Sequence, residues 1–166
     1  MHVLEALRQL RDTDAAWTAK SQEFAALRER LTDQSALNAR REAQAESERT
    51  LSQVQGELAA AELELRGLEG RAREANRQLY ADGNLSPREL DHLRRDAEYL
   101  ARQVSAAEER VLMLMARQEE AAAAVEQGAT ELRKVEAASA AQNEADMARY
   151  RVLRPELQML KERREA

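Results

Sequence analysis

Only one stretch of this chain gathers the signals that end one helix and begin another: Asp82-Gly83-Asn84-Leu85-Ser86-Pro87. Gly83 or Asn84 can take the left-handed conformation that closes a helix. Ser86 reads as an N-cap with Pro87 at the first helical position. Glu89 falls three residues after Ser86 and completes a capping box, and Leu85 and Leu90 have the spacing of a hydrophobic staple. The turn lies almost midway along 166 residues. Two equal helices joined there make an antiparallel hairpin, each arm reaching roughly 115–120 Å at the helical rise.

The apolar pattern on both sides agrees. Before the turn, Leu51, Val54, Leu58, Ala61, Leu65, Leu68, Ala72, Ala75 and Leu79 alternate in steps of three and four. After it, Leu90, Leu93, Ala97, Leu100, Val104, Ala107, Val111 and Leu114 do the same, continuing less purely through Gln118, Ala121, Val125, Gly128, Leu132 and Val135. A 3-4 repeat held this long is a coiled-coil seam. Folding at the turn sets Leu58 near Arg110 and Val111. It sets Trp17 and Phe24 against Gln142 to Leu153. The N-terminal seam runs Val3, Leu7, Leu10, Asp14, Trp17, Ser21, Phe24. Tyr150, Leu153, Leu157 and Leu160 supply apolar partners for it.

The expected fold is therefore all-α: a long antiparallel coiled-coil helical hairpin over 1–166. Arm 1 covers about 2–81, the tip 82–86 and arm 2 about 87–153. The seam loses phase between Leu31 and Leu51, which predicts a kink or break near Thr32-Asp33. Pro155 should end or kink arm 2 and leave a short terminal helix over about 155–164. A three-helix bundle would need a second turn near Thr32 to Asn38 as well marked as the first, and the sequence has none.

Composition excludes several functions. The chain has no Cys, so it holds no disulfide and no thiolate zinc site. Its two His, His2 and His92, do not make a metal cluster. There is no Gly-rich phosphate loop, no GxSxG and no HExxH. We expect no enzyme and no cofactor. The pairs Glu108-Glu109 and Glu119-Glu120 read as solvated helix faces, and His92 as a surface residue. No apolar run can span a bilayer, and the start lacks a basic segment followed by an apolar run, so a cytoplasmic protein is expected.

Net charge is −5, but it is uneven. Residues 42–64 are acidic, whereas the end carries Arg149, Arg151, Arg154, Lys161, Arg163 and Arg164. Those six form a candidate phosphate-contacting patch. The plainer alternative is a solvated helix end favoured by the helix dipole.

The segment Leu79-Tyr80-Ala81-Asp82-Gly83-Asn84-Leu85-Ser86-Pro87-Arg88-Glu89-Leu90 resembles the hairpin tip of the bacterial C4-type zinc-ribbon coiled-coil family. There the tip reads roughly L-Y-x-G-x-[VIL]-x-[NS]-P-K-E-L. Leu79, Tyr80, Gly83, Leu85, Ser86, Pro87, Glu89 and Leu90 match with one inserted residue, and Arg88 stands for Lys. The stretch Leu112-Met113-Leu114-Met115 with Glu119-Glu120 resembles the family's continuation. The resemblance implies an elongated adapter arm that presents a nucleic-acid-binding ribbon with two Cys-x-x-Cys pairs. Such a ribbon would begin about where this chain reaches Ala166. Either a piece carrying only the helical arm or a variant without a ribbon is implied.

The leading expectation is a non-enzymatic scaffold or adapter that binds a protein partner at the tip, through Tyr80, Gly83, Asn84, Pro87, Arg88, Arg94 and Arg95. Taken alone, Tyr80 reads first as packing across the turn against Leu85 or Leu90 and second as an exposed anchor. The alternatives for the chain are nucleic-acid binding by the basic base or a structural rod that forms a homodimer. No membrane partner is expected.

Overall fold

The computed structural model describes residues 2–81, 83 and 85–165, with the backbone alone for His2. It consists of α1 (His2–Thr32), α2 (Ser35–Ala81) and α3 (Pro87–Glu165), with no strand among the described residues. The chain divides into two compact units, Ala43–Ala129 and Met1–Glu42 with Thr130–Ala166.

In the unit of Ala43–Ala129, α2 and α3 pair antiparallel. Val54, Leu58, Ala61 and Leu68 of α2 are buried, as are Leu114 and Ala121 of α3. Leu58, Ala61 and Leu114 form one cluster, with Val111 packed against it. This is the expected apposition of Leu58 and Val111. Every seam position from Leu51 to Leu79 and from Leu90 to Val125 is buried or half-buried. Flanking charges add Glu64 to Arg110 at 3.4 Å and Glu57 to Arg117 at 3.5 Å. Both pairs are largely exposed, so water and salt screen them and each contributes little.

The capping box is present as spelled out by the sequence. Ser86 N–H donates to Glu89 Oε2 at 2.9 Å, and Glu89 N–H donates to Ser86 Oγ at 3.3 Å. These bonds hold the Glu89 carboxyl below its ordinary value, the Ser86 side chain contributing most. The left-handed helix end expected at Gly83 or Asn84 rests on Asn84 itself and on Asp82, whose position sets the φ of Gly83. A Cβ on Gly83 would meet nothing within 4 Å. Asp82 and Asn84 lie outside the described residues.

In the other unit, α1 pairs antiparallel with the C-terminal part of α3. Leu27 and Leu153 are its fully buried side chains. Phe24 stacks on Tyr150 with ring centroids 4.8 Å apart, as the fold-back expects. Trp17 instead lies under the Arg164 guanidinium, 5.4 Å from the ring centroid. That partner lies beyond the expected Gln142 to Leu153. Val3, Leu7 and Leu10 are exposed. The end of α3 shares a groove with the early turns of α1, Leu160, Arg163 and Arg164 standing beside Ala6, Gln9 and Leu10.

The break near Thr32-Asp33 is present as two non-helical residues, Asp33 and Gln34. Thr32 Oγ1 bonds back to the Arg28 and Glu29 carbonyls. Asp33 Oδ1 accepts the Ser35 N–H at 2.9 Å, which offers the backbone a turn in place of helix. The Ser35 bonds hold the Asp33 carboxyl below its ordinary value.

Pro155 overturns an expectation. It neither ends α3 nor sets off a terminal helix over 155–164, because α3 is one helix from Pro87 to Glu165 with Pro155 inside it. Proline removes one N–H, that which would bond the Arg151 carbonyl. Arg151 and Pro155 are exposed, so water can take that carbonyl. Leu153 on one side and the Lys20–Glu156 ion pair on the other tie this stretch to α1. Tertiary packing outweighs the local propensity.

Candidate functional site at the tip and the basic end

The tip residues occupy the last turn of α2 and the first turns of α3. Tyr80 is 85 % exposed, so its ring does not pack across the turn on Leu85 or Leu90. An aromatic ring in water at the end of a helix is costly in apolar surface. Gly83 is an exposed turn residue, and Pro87 and Arg88 are exposed on the first turn of α3. Asn84 cannot be placed, since it lies outside the described residues.

A shallow groove runs along the start of α3, lined by Leu85, Ser86, Arg88, Glu89, His92 and Leu93. Leu85 and Leu93 give it an apolar floor, while Arg88, Glu89 and His92 bring polar groups. The helical period sets Arg88 and Arg95 on one outward face. Arg95 is tied to Asp91 at 2.8 Å. Arg94 lies further round the helix. Neither Arg88 nor Arg94 pairs with a described residue. The structure thus sets Tyr80 on the last turn of α2, Gly83 in the turn, and Pro87 and Arg88 on the first turn of α3, and spreads Arg94 and Arg95 two turns along α3.

The six basic residues near the end do not form one free patch. Arg149 makes two bonds to the Glu23 carboxylate, at 2.6 and 2.9 Å. The pairing pulls Glu23 below its ordinary value and raises Arg149, the mutual hydrogen bonds being the main cause. Arg164 Nε lies 2.6 Å from Asp14 Oδ1, at an angle too bent for a hydrogen bond. Arg151, Arg154, Lys161 and Arg163 remain exposed. Two of the six, though exposed, are therefore ion-paired to carboxylates of α1.

The sequence reading missed three exposed apolar side chains of α3, Leu112, Met113 and Met115. The signal was visible: five consecutive apolar residues, Val111 to Met115, leave a surface helix no polar side.

Among the described residues no group of three or more His, Asp or Glu side chains converges, and no helix is long and apolar enough to cross a membrane. These features define an all-α protein built on antiparallel helix pairing. Comparison with known proteins gives no match to a family model, a curated protein or a solved structure.

Proposed function

We propose that this chain is a non-enzymatic coiled-coil adapter that captures a protein partner at its helical tip. The observation that carries the reading is Tyr80, an aromatic ring 85 % exposed beside the turn. Across the same short connection lies the groove floored by Leu85 and Leu93, with Arg88, which pairs with no described residue, on its rim. Exposed Tyr and Arg near a shallow apolar groove are the residue types that dominate protein recognition. Loops and helix ends held on a rigid scaffold commonly carry it. The resemblance of residues 79–90 to the zinc-ribbon coiled-coil family supports the same role, with the arm presenting or assisting a nucleic-acid-binding ribbon. The internal pairing of Arg149 and Arg164 weighs against the basic end as a primary phosphate surface.

The test places a photo-crosslinking amino acid at position 80 and, as a control, at Leu63. A discrete adduct from position 80 alone is expected. The double variant Tyr80→Ala, Arg88→Ala should lose partner capture with unchanged helical circular dichroism. Capture that survives both substitutions would sink the tip reading.

A further inference from the structure

A second surface, distant in sequence from the tip, lies on α3 around Leu114. The sequence there is symmetrical in character: Glu108-Glu109, then Val111 to Ala116, then Glu119-Glu120. Leu114 points into the core with Leu58 and Ala61. Leu112, Met113 and Met115 point away from it and are 65 %, 66 % and 45 % exposed. The helical step of four places Glu108 under Leu112, Glu109 under Met113, Glu119 above Met115 and Glu120 above Ala116. Leu112 thus crests the outer face, with Met113 and Met115 on its two flanks about 160° apart and a pair of glutamates one turn away on each side.

Cations stand on one flank of this face. Arg110 and Arg117 line a groove with Met113 and Ala116, and pair there with Glu64 and Glu57 of α2. Glu108, Glu109, Glu119 and Glu120 pair with no described residue.

We propose that this face is a docking site for a cationic amphipathic helix, its apolar stripe on Leu112, Met113 and Met115 and its Lys or Arg residues against the four glutamates. Three arguments fix the occupant. An apolar patch rimmed by polar groups marks an interaction surface. Unbranched methionines adapt to varied apolar partners. The sign of the rim selects a basic partner, and it disfavours a second copy of this chain on the same face. A two-fold axis through Leu114 would set glutamate against glutamate, and like charges brought together cost affinity. The site is independent of the tip reading, since it uses none of its residues.

The experiment titrates a fluorescein-labelled leucine–lysine helical peptide with the full chain and follows anisotropy at low and physiological salt. A leucine–glutamate peptide of the same pattern is the control. Binding of the lysine peptide is expected, with weakening at higher salt as screening grows. Leu112→Ser with Met113→Ser should weaken it by about tenfold or more, as the loss of two apolar contacts requires. Both side chains are exposed, so helicity should hold. Neutralising Glu108, Glu109, Glu119 and Glu120 to Gln should weaken it comparably. Neutralising Glu5, Glu42, Glu98 and Glu165 to Gln removes the same charge elsewhere and should leave it unchanged. Equal loss in the two quadruple variants would show attraction to overall charge and overturn the site. So would equal binding of the glutamate peptide, or unchanged affinity in the Leu112, Met113 variant. Self-association by sedimentation that the Leu112, Met113 variant abolishes would give the face to a second copy, and would also overturn it.

Discussion

The Gln44 side chain occupies the space that a side chain at position 128 would fill. A Cβ on Gly128 would fall 2.3 Å from Gln44 Oε1. Gln44 is buried, and its Nε2 donates to the Val125 carbonyl at 3.3 Å and to Glu48 at 3.0 Å. A buried polar residue that bonds across a helix pair fixes register at some cost in stability. Gly128→Ala should therefore gain little or lose, although Ala in a helix is favoured over Gly by about 1 kcal/mol. Gln44 would have to swing away and leave its cross-helix bond. In a Gln44→Ala background the same substitution should recover the full gain of about 1 kcal/mol. Urea unfolding of the four proteins measures the coupling. Equal gains in both backgrounds would mean that the two positions do not interact.

Gly56, Gly67 and Gly70 behave differently. Each is exposed within α2, and a Cβ on any of them would meet nothing within 4 Å. Replacing each by Ala should stabilise by about 0.8–1.0 kcal/mol, from helix propensity and a less flexible unfolded chain. Gly56 is far enough from the other two for its gain to add, whereas Gly67 and Gly70 are neighbours one turn apart and can couple. Melting curves of the single and triple variants check this, and a triple variant no more stable than the parent would refute it.

Asp146 and Arg30 link stability to pH. Asp146 is 4 % exposed, and its two oxygens accept from Arg30 at 2.9 and 3.0 Å and from Gln142 at 3.0 Å. The Arg30 bond is the main cause of a carboxyl held below its ordinary 3.8. Arg30 is raised in return and stays charged throughout. A carboxyl depressed in the folded state stabilises at pH above its unfolded value and loses that contribution as pH falls through the folded one. Stability should thus fall with acidification below about pH 4–5, the range where aspartate begins to protonate. Asp146→Asn should be less stable at neutral pH and show a shallower acid limb. Glu23 and Glu89 are also depressed, so the limb should flatten without vanishing. An acid limb as steep as the parent's would remove Asp146 from the account.

What the sequence made legible was local or periodic. Ser86 and Glu89 sit at fixed offsets, and a capping box needs nothing beyond them. The seam from Leu51 to Leu79 follows because one helix face must be covered by the next. Interruption at Asp33 was readable from lost phase and from side chains that bond their own backbone. What depended on a partner's reach was not readable. Val3, Leu7 and Leu10 have seam spacing, but spacing does not say whether a helix lies opposite. Trp17 meets Arg164, beyond the region up to Leu153, because counting back from the turn places backbones and does not give the reach of a long arginine side chain. At the tip, Tyr80 was read more readily as packed than exposed, since a turn's side-chain directions do not follow from its residue types.

Pro155 gives the sharpest contest between propensity and packing. Proline inside a helix costs about 3 kcal/mol relative to Ala, through a missing bond and a ring set against the preceding turn. Yet α3 continues through it for ten more residues, to Glu165. The compensation lies in the neighbours: Leu153 has no exposed surface, and Glu156 is ion-paired to Lys20. If packing alone holds the helix there, Pro155→Ala should release the strain, restore an N–H to the Arg151 carbonyl and raise stability by as much as about 3 kcal/mol. Leu153→Ala should do the reverse, losing about 2–5 kcal/mol by opening a cavity in a buried seam. Amide exchange at residues 151–160 reports both effects on the same stretch. Protection should rise in the first variant and fall in the second. A Pro155→Ala protein less stable than the parent would show that the proline's shape, rather than the neighbours' packing, sets the course of α3 against α1.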